Sequence, residues 1–180
     1  MSARTSLRVL AVATVVATGL TLAPPAHAES LTLDDGRDAR PSPTDIRHVR
    51  VGHGVDNVKV RTTFPNLMKR GHATLSVFID TDVDARGPEY GVVLPLFSGS
   101  DYVLLPMRNW RAAGGPVDCR YRARFAWRQD YVRVRFDRGC FEHADRVRIG
   151  LKMRDHFDGS HPIIDWLKGH RRWTRWLTTG

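Results

Sequence analysis

The chain has 180 residues but only two cysteines, Cys119 and Cys140. Two cysteines far apart in sequence exclude a disulfide-stapled miniprotein, a thiolate zinc site and a CxxC redox centre. Long hydrophobic runs are also scarce. Beyond Ser30 no segment approaches the roughly 18 apolar residues that span a bilayer. No stretch carries the 3.6-residue apolar period of a long amphipathic helix. The catalytic signatures that can be read from sequence are missing as well: there is no G-x-S-x-G elbow, no H-E-x-x-H and no glycine-rich phosphate loop. A carboxylate pair for glycoside hydrolysis needs no sequence proximity, so a secreted hydrolase stays open as an alternative. Acidic residues are in deficit, with 28 Lys and Arg against 19 Asp and Glu and a formal net charge of +9.

What is present begins with the first thirty residues, MSARTSLRVLAVATVVATGLTLAPPAHAES. Arg4 and Arg8 precede an apolar stretch from Leu10 to Ala23. Pro24 and Pro25 break it, and Ala26-His27-Ala28 has the small-x-small cleavage pattern. These features predict a signal peptide over residues 1–28 and an extracellular protein with no transmembrane segment after its removal. In an exported chain the even cysteine count predicts one disulfide, Cys119–Cys140. Residues 29–44 are polar and read as an N-terminal arm, and residues 45–180 read as a single domain of ordinary size.

Period-two alternation dominates that domain. Val49 and Val51 mark one strand, Val58, Val60 and Thr62 the next, and Leu75, Val77 and Ile79 a third. Tyr90 to Leu94, Tyr102 to Leu105, and Val147 to Met153 add three more. Asn109 to Asp118 reads as a loop, and a last strand falls near Trp173 to Leu177. Between Cys119 and Cys140 the pattern predicts a hairpin turning at Gln129-Asp130. In that hairpin Trp127 faces Val132, Phe125 faces Val134 and Cys119 faces Cys140, because a one-residue slip would invert a strand. The expected fold is all-β, an antiparallel β-sandwich of eight or nine strands, jelly-roll or immunoglobulin-like, though without the immunoglobulin Cys-Trp-Cys spacing.

The opposite faces of these strands carry the candidate site. Arg120, Arg122, Arg124 and Arg128 point outward from the first strand of the hairpin. Arg133 and Arg135 point outward from the second, beside Tyr131. The strand with Arg146, Arg148, Lys152 and Arg154 would extend this surface if it lay alongside. Such a face fits a polyanion, since each guanidinium grips phosphate, sulfate or carboxylate in a fork. The plainer alternative is an outer face whose charges are answered by Asp130, Asp137 and Asp145.

Three further constellations carry chemistry. In FIDTDVDARGPEY, Asp80, Asp82, Asp84 and Glu89 form a calcium-type oxygen set, but Ala85 and Gly91 stand where an EF-hand loop needs Gly and Glu. The alternative there is an aspartate turn bonding its own backbone. The run Asp155-His156-Phe157-Asp158-Gly159-Ser160-His161 is a sparse transition-metal pattern. From Trp166 to Leu177 cations interleave with indoles, which suits either peripheral membrane contact or tryptophans packed under arginines.

Several segments look familiar: the signal peptide, D-D-G-R-D-A before T-D-I-R-H-V, I-D-T-D with G-P-E-Y, and V-R-F-D-R-G-C-F before V-R-I-G-L. Over residues 32–153 they resemble small secreted β-sandwich proteins of high-GC Gram-positive bacteria. More distantly, the I-D-T-D strand end is similar to family-nine carbohydrate-binding modules and DOMON domains. The resemblance implies the sandwich fold, used in those families for sugar or haem. The functional expectation is a secreted, non-catalytic domain that binds an anionic or carbohydrate polymer through Arg120, Arg122, Arg124, Arg133, Arg135 and Tyr131, with nucleic acid disfavoured as a partner. The alternative from another class is a structural or protein-interaction domain.

Overall fold

A computed structural model describes residues 28–156, 159 and 161–179. The segment expected as a signal peptide therefore lies outside the described residues, except for Ala28. The described chain forms two antiparallel sheets in a sandwich-like arrangement, with one disulfide, Cys119–Cys140, at a hairpin of the first. The first sheet contains β1 (Glu29–Asp34), β2 (His48–His53), β3 (Asn57–Thr63), β8 (Tyr121–Ala126) and β9 (Tyr131–Asp137), in the order β1-β2-β3-β9-β8. The second contains β4 (Ala73–Asp80), β5 (Tyr90–Pro95), β6 (Val103–Arg108), β7 (Arg111–Ala112), β10 (Arg146–Asp155) and β11 (Ile163–Trp166). Its order is β11-β10-β4-β5-β6-β7, and the short β12 (Leu177–Thr178) also pairs with β10.

Twelve strands replace the expected eight or nine. Of the three additional ones, β7 is only two residues long and β11 lies in the C-terminal tail. The expected last strand is β12, also two residues long, at Leu177–Thr178. The third addition, β1, occupies the start of what reads as a polar arm. It is an edge strand paired with β2 from Glu29↔His53 to Asp34↔His48, with Leu31 and Leu33 packed on the core. Inside Asn109–Asp118 the chain makes a tight hairpin, with Arg108 paired to Arg111 and positive φ at Asn109 (50°) and Trp110 (67°). Positive φ at both central residues is what a type I′ connection requires.

The core follows from the alternation. Val49, Val51, Val58, Val60, Val132, Val134 and Phe136 face inward from the first sheet. Leu75, Val77, Ile79, Val92, Leu94, Ile149, Leu151 and Met153 meet them from the second. In the second sheet the alternation breaks: Val77 to Asp80 and Ile149 to Leu151 are buried continuously. That happens because a second, smaller apolar layer covers the other face. Trp110 stacks on Trp173 at 4.6 Å between ring centroids, and Phe78 meets Trp110 at 4.9 Å and Trp166 at 5.8 Å. Gly150 makes room for this layer, since a Cβ there would stand 3.1 Å from the Trp173 ring.

The disulfide hairpin differs from expectation by two residues. Phe125 pairs with Val132, Ala123 with Val134, Arg124 with Arg133 and Arg122 with Arg135. The cause is a longer connection: Trp127 leaves the strand to stack on Phe125 at 5.2 Å, and Asp130 adopts a left-handed φ of 54°. Asp130 is held there because its Oδ1 accepts from Leu67 N (2.8 Å) and its carbonyl from Phe64 N (2.8 Å). An even shift preserves which side chains face out. Cys140 then reaches Cys119 from a 3-10 turn (Arg138–Phe141), with the two Cα atoms 5.2 Å apart. Arg138 anchors this turn by donating to the carbonyls of Val55, His143 and Ala144.

The cross-link closes a loop with a sequence separation of 21. Chain-entropy reasoning assigns it roughly 3 kcal/mol. Changing both cysteines to serine is expected to lower Tm by roughly 6–12 °C. Thermal melts with and without reductant check this, because reductant should destabilise the wild type and leave the variant unaffected.

Candidate functional site

The outward residues of the first sheet line up across strands. In one row Thr32 faces Arg50, Arg50 faces Arg61, Arg61 faces Arg133, and Arg133 faces Arg124. In the adjacent row Gly52 faces Lys59, Lys59 faces Arg135, and Arg135 faces Arg122. All seven cations are exposed. With strands about 4.8 Å apart, the four-arginine row extends roughly 14 Å at right angles to the strands. Between the rows runs a shallow groove of about 520 Å³, lined by Lys59, Arg122, Arg124, Arg133 and Arg135. A second depression of about 320 Å³ continues it, lined by Arg120, Tyr121, Arg122, Arg135 and Asp137.

The acids named as possible answers to these charges are engaged elsewhere or stand apart. Asp130 caps Leu67 N, and Asp145 pairs with Arg138 at 3.5 Å. Asp137 lies at the rim without an ion pair to the seven cations. Among the described residues none of the seven forms an ion pair. Like charges facing across strand pairs are destabilising, so the face carries a repulsion that a bound anion would relieve. Tyr131 is half-buried, and the Arg61 guanidinium sits 3.8 Å from its ring centroid. One ring face is thus occupied by a cation–π contact, and Tyr131 orients Arg61 as much as it offers a surface. Arg128 lies in the β8–β9 connection and not on the strand.

Arg146, Arg148, Lys152 and Arg154 do not extend this surface. Their strand, β10, belongs to the second sheet between β4 and β11. Chain order brings them next, but the 3-10 turn carries the chain across to the other sheet. Arg148 forks onto Asp80 Oδ2, from Nε at 2.8 Å and Nη2 at 2.7 Å. The same guanidinium covers Trp176 at 4.5 Å and Trp173 at 5.2 Å, while Lys152 lies over Trp166 at 5.5 Å. The C-terminal indoles are therefore packed on the sheet beneath cations. No helix among the described residues is long and apolar enough to cross a membrane.

The aspartate turn is held by its own bonds. Asp82 Oδ1 accepts from Asp84 N (2.9 Å), and Glu89 Oε2 accepts from Thr81 N (2.8 Å). Asp80 is fully buried under Arg148, and burial pushes its carboxyl up to about 6 despite that partner. These four carboxylates do not converge as a ligand set among the described residues. Of the histidine-containing run, Asp155 is buried and accepts from Ser42 Oγ (2.5 Å). Phe157, Asp158 and Ser160 lie outside the described residues.

A different acidic group does converge. One carboxylate oxygen from each of Asp35, Asp38 and Asp165 lies within 4.8 Å of the others. Asp165 is only 2% exposed; burial first, then Asp38, Asp35 and Asp45, push its carboxyl up to about 7. Asp35 is raised too, again chiefly by burial. No sequence signal points to this group, because its members come from opposite ends of the chain. Arg50, Lys59 and Arg61 also escape a sequence reading: their outward direction is visible, but the neighbour of β3 is not.

The chain matches no protein-family model and no curated protein.

Proposed function

We propose that this protein binds an anionic polymer outside the cell through the outer face of its first sheet, in a non-catalytic role. The observation that carries the reading is the pair of cross-strand rows, Arg50–Arg61–Arg133–Arg124 and Lys59–Arg135–Arg122, without an acidic partner among the described residues. A polymer with an anionic group every few ångströms would lie across the strands and meet successive guanidinium forks. Acidic glycans and phosphodiester wall polymers have that chemistry. The shallow, open groove favours a chain lying on the surface over a small enclosed ligand. The disulfide is compatible with an oxidising extracellular setting.

Retention on heparin, teichoic acid and an acidic polysaccharide, measured across salt concentration, tests this. Affinity should fall steeply with salt, as counterion release requires. Arg124→Ser/Arg133→Ser/Arg135→Ser should weaken binding at least tenfold at low salt and flatten the salt slope by roughly 2. Unchanged retention of that variant, with a wild-type circular dichroism spectrum, would overturn the reading.

A further inference from the structure

At the edge of the second sheet, the chain leaving β1 crosses the end of β11. Two backbone bonds join the segments: Ile46 N donates to Asp165 Oδ2 (2.7 Å), and Lys168 N donates to Asp35 Oδ1 (3.2 Å). Each carboxylate uses one oxygen in this way. The second oxygens, Asp35 Oδ2 and Asp165 Oδ1, are buried and have no hydrogen-bond partner. Asp165 is 2% exposed and Asp35 9%. A buried carboxylate oxygen left unpaired is costly, and two in one cluster more so. Neither residue, nor Asp38, forms an ion pair among the described residues. The nearby Asp45 is different, being bonded to Ala39 N and paired with Arg47 at 3.4 Å.

We propose that Asp35, Asp38 and Asp165 bind a divalent cation, calcium, that ties the N-terminal segment to β11. The donors are all hard oxygens, which select calcium or magnesium over zinc or copper. Calcium–oxygen distances of 2.3–2.6 Å allow ligands on opposite sides of the ion to be about 4.6–5.2 Å apart. One carboxylate oxygen of each residue already lies within 4.8 Å of the other two, so the cluster fits a calcium sphere as it stands. Asp38 is exposed at the mouth and gives the ion and its remaining waters access, while the two buried aspartates form the floor. The ion would satisfy both unpaired oxygens and offset the repulsion among the three carboxylates.

The test uses the purified protein stripped with EDTA and dialysed at pH 7.5. Isothermal titration with calcium chloride should show one site, and at a hundredfold excess over Kd Tm should rise by roughly 5–10 °C. Magnesium should give a smaller shift. Asp165→Asn should abolish the calcium response while melting no lower than the EDTA-treated wild type, because it removes a buried like charge. Asp38→Asn, at an exposed position that leaves the fold untouched, should reduce calcium affinity at least tenfold. No heat and no Tm shift with millimolar calcium would overturn the proposal. So would a calcium response of full size in both variants, or a magnesium shift exceeding that of calcium.

Discussion

Replacing Arg148 with alanine should destabilise the fold by about 3–5 kcal/mol, because it strands a fully buried carboxylate. Asp80 has no exposure, and its only ion-pair partner among the described residues is Arg148. The guanidinium also roofs Trp173 and Trp176, so its loss removes packing as well as charge. A pH series separates the two contributions. In the unfolded chain Asp80 titrates near 3.8, while in the folded protein burial, helped by Glu89, raises it to about 6. A carboxyl raised on folding favours the folded state when protonated. That contribution is complete below about pH 4 and is lost as pH rises through about 6. Without Arg148 the folded carboxyl holds its proton to higher pH still. The stability difference between wild type and Arg148→Ala should therefore be smallest near pH 4.5 and largest near pH 8. Urea unfolding at those two values checks it. An equal difference at both would assign the loss to the tryptophan roof and not to the stranded charge.

The alternation of Val58, Val60 and Thr62, or of Val132, Val134 and Phe136, survives folding intact because each strand has one face on the core and one in water. That half-and-half environment is what makes a strand legible. β4 and β10 are less so, since Phe78 and Gly150 face a tryptophan layer that local sequence does not announce. The disulfide follows from the cysteine count, but its register does not: Asp130 bonds to residues 64 and 67, and such distant anchoring fixes the connection length. The arginine face was half legible for the same reason. Outward direction is a local property, visible for Arg122, Arg124, Arg133 and Arg135. Strand adjacency is global, so no local pattern marks Arg50, Lys59 and Arg61 as members of the face or separates Arg148, which lies on the other sheet. Asp35, Asp38 and Asp165 come together only through tertiary folding, and no spacing rule reaches them.

The alternation also makes core and surface separable, and Phe136→Ala should show this. Phe136 is fully buried, faces Tyr121 across the β8–β9 pair and Val58 across β3–β9, and contacts Phe141 at 5.3 Å between centroids. Phe141 in turn meets Tyr90 of the second sheet at 5.1 Å. This relay joins the two sheets beside the disulfide, so truncating its first ring leaves a cavity the locked 3-10 turn cannot collapse into. A loss of about 3–5 kcal/mol is expected, as for other buried Phe→Ala changes. In a domain of this size it corresponds to a Tm lower by roughly 6–20 °C. Arg135, the preceding residue, points the other way and keeps its place in the charged row. Well below its melting point the variant should thus retain wild-type affinity for the anionic polymer and the same salt slope. Differential scanning calorimetry paired with the retention assay checks both halves. A variant that melts early and also binds weakly when fully folded would mean that the charged rows depend on the relay between the sheets and not on the register of the first sheet alone.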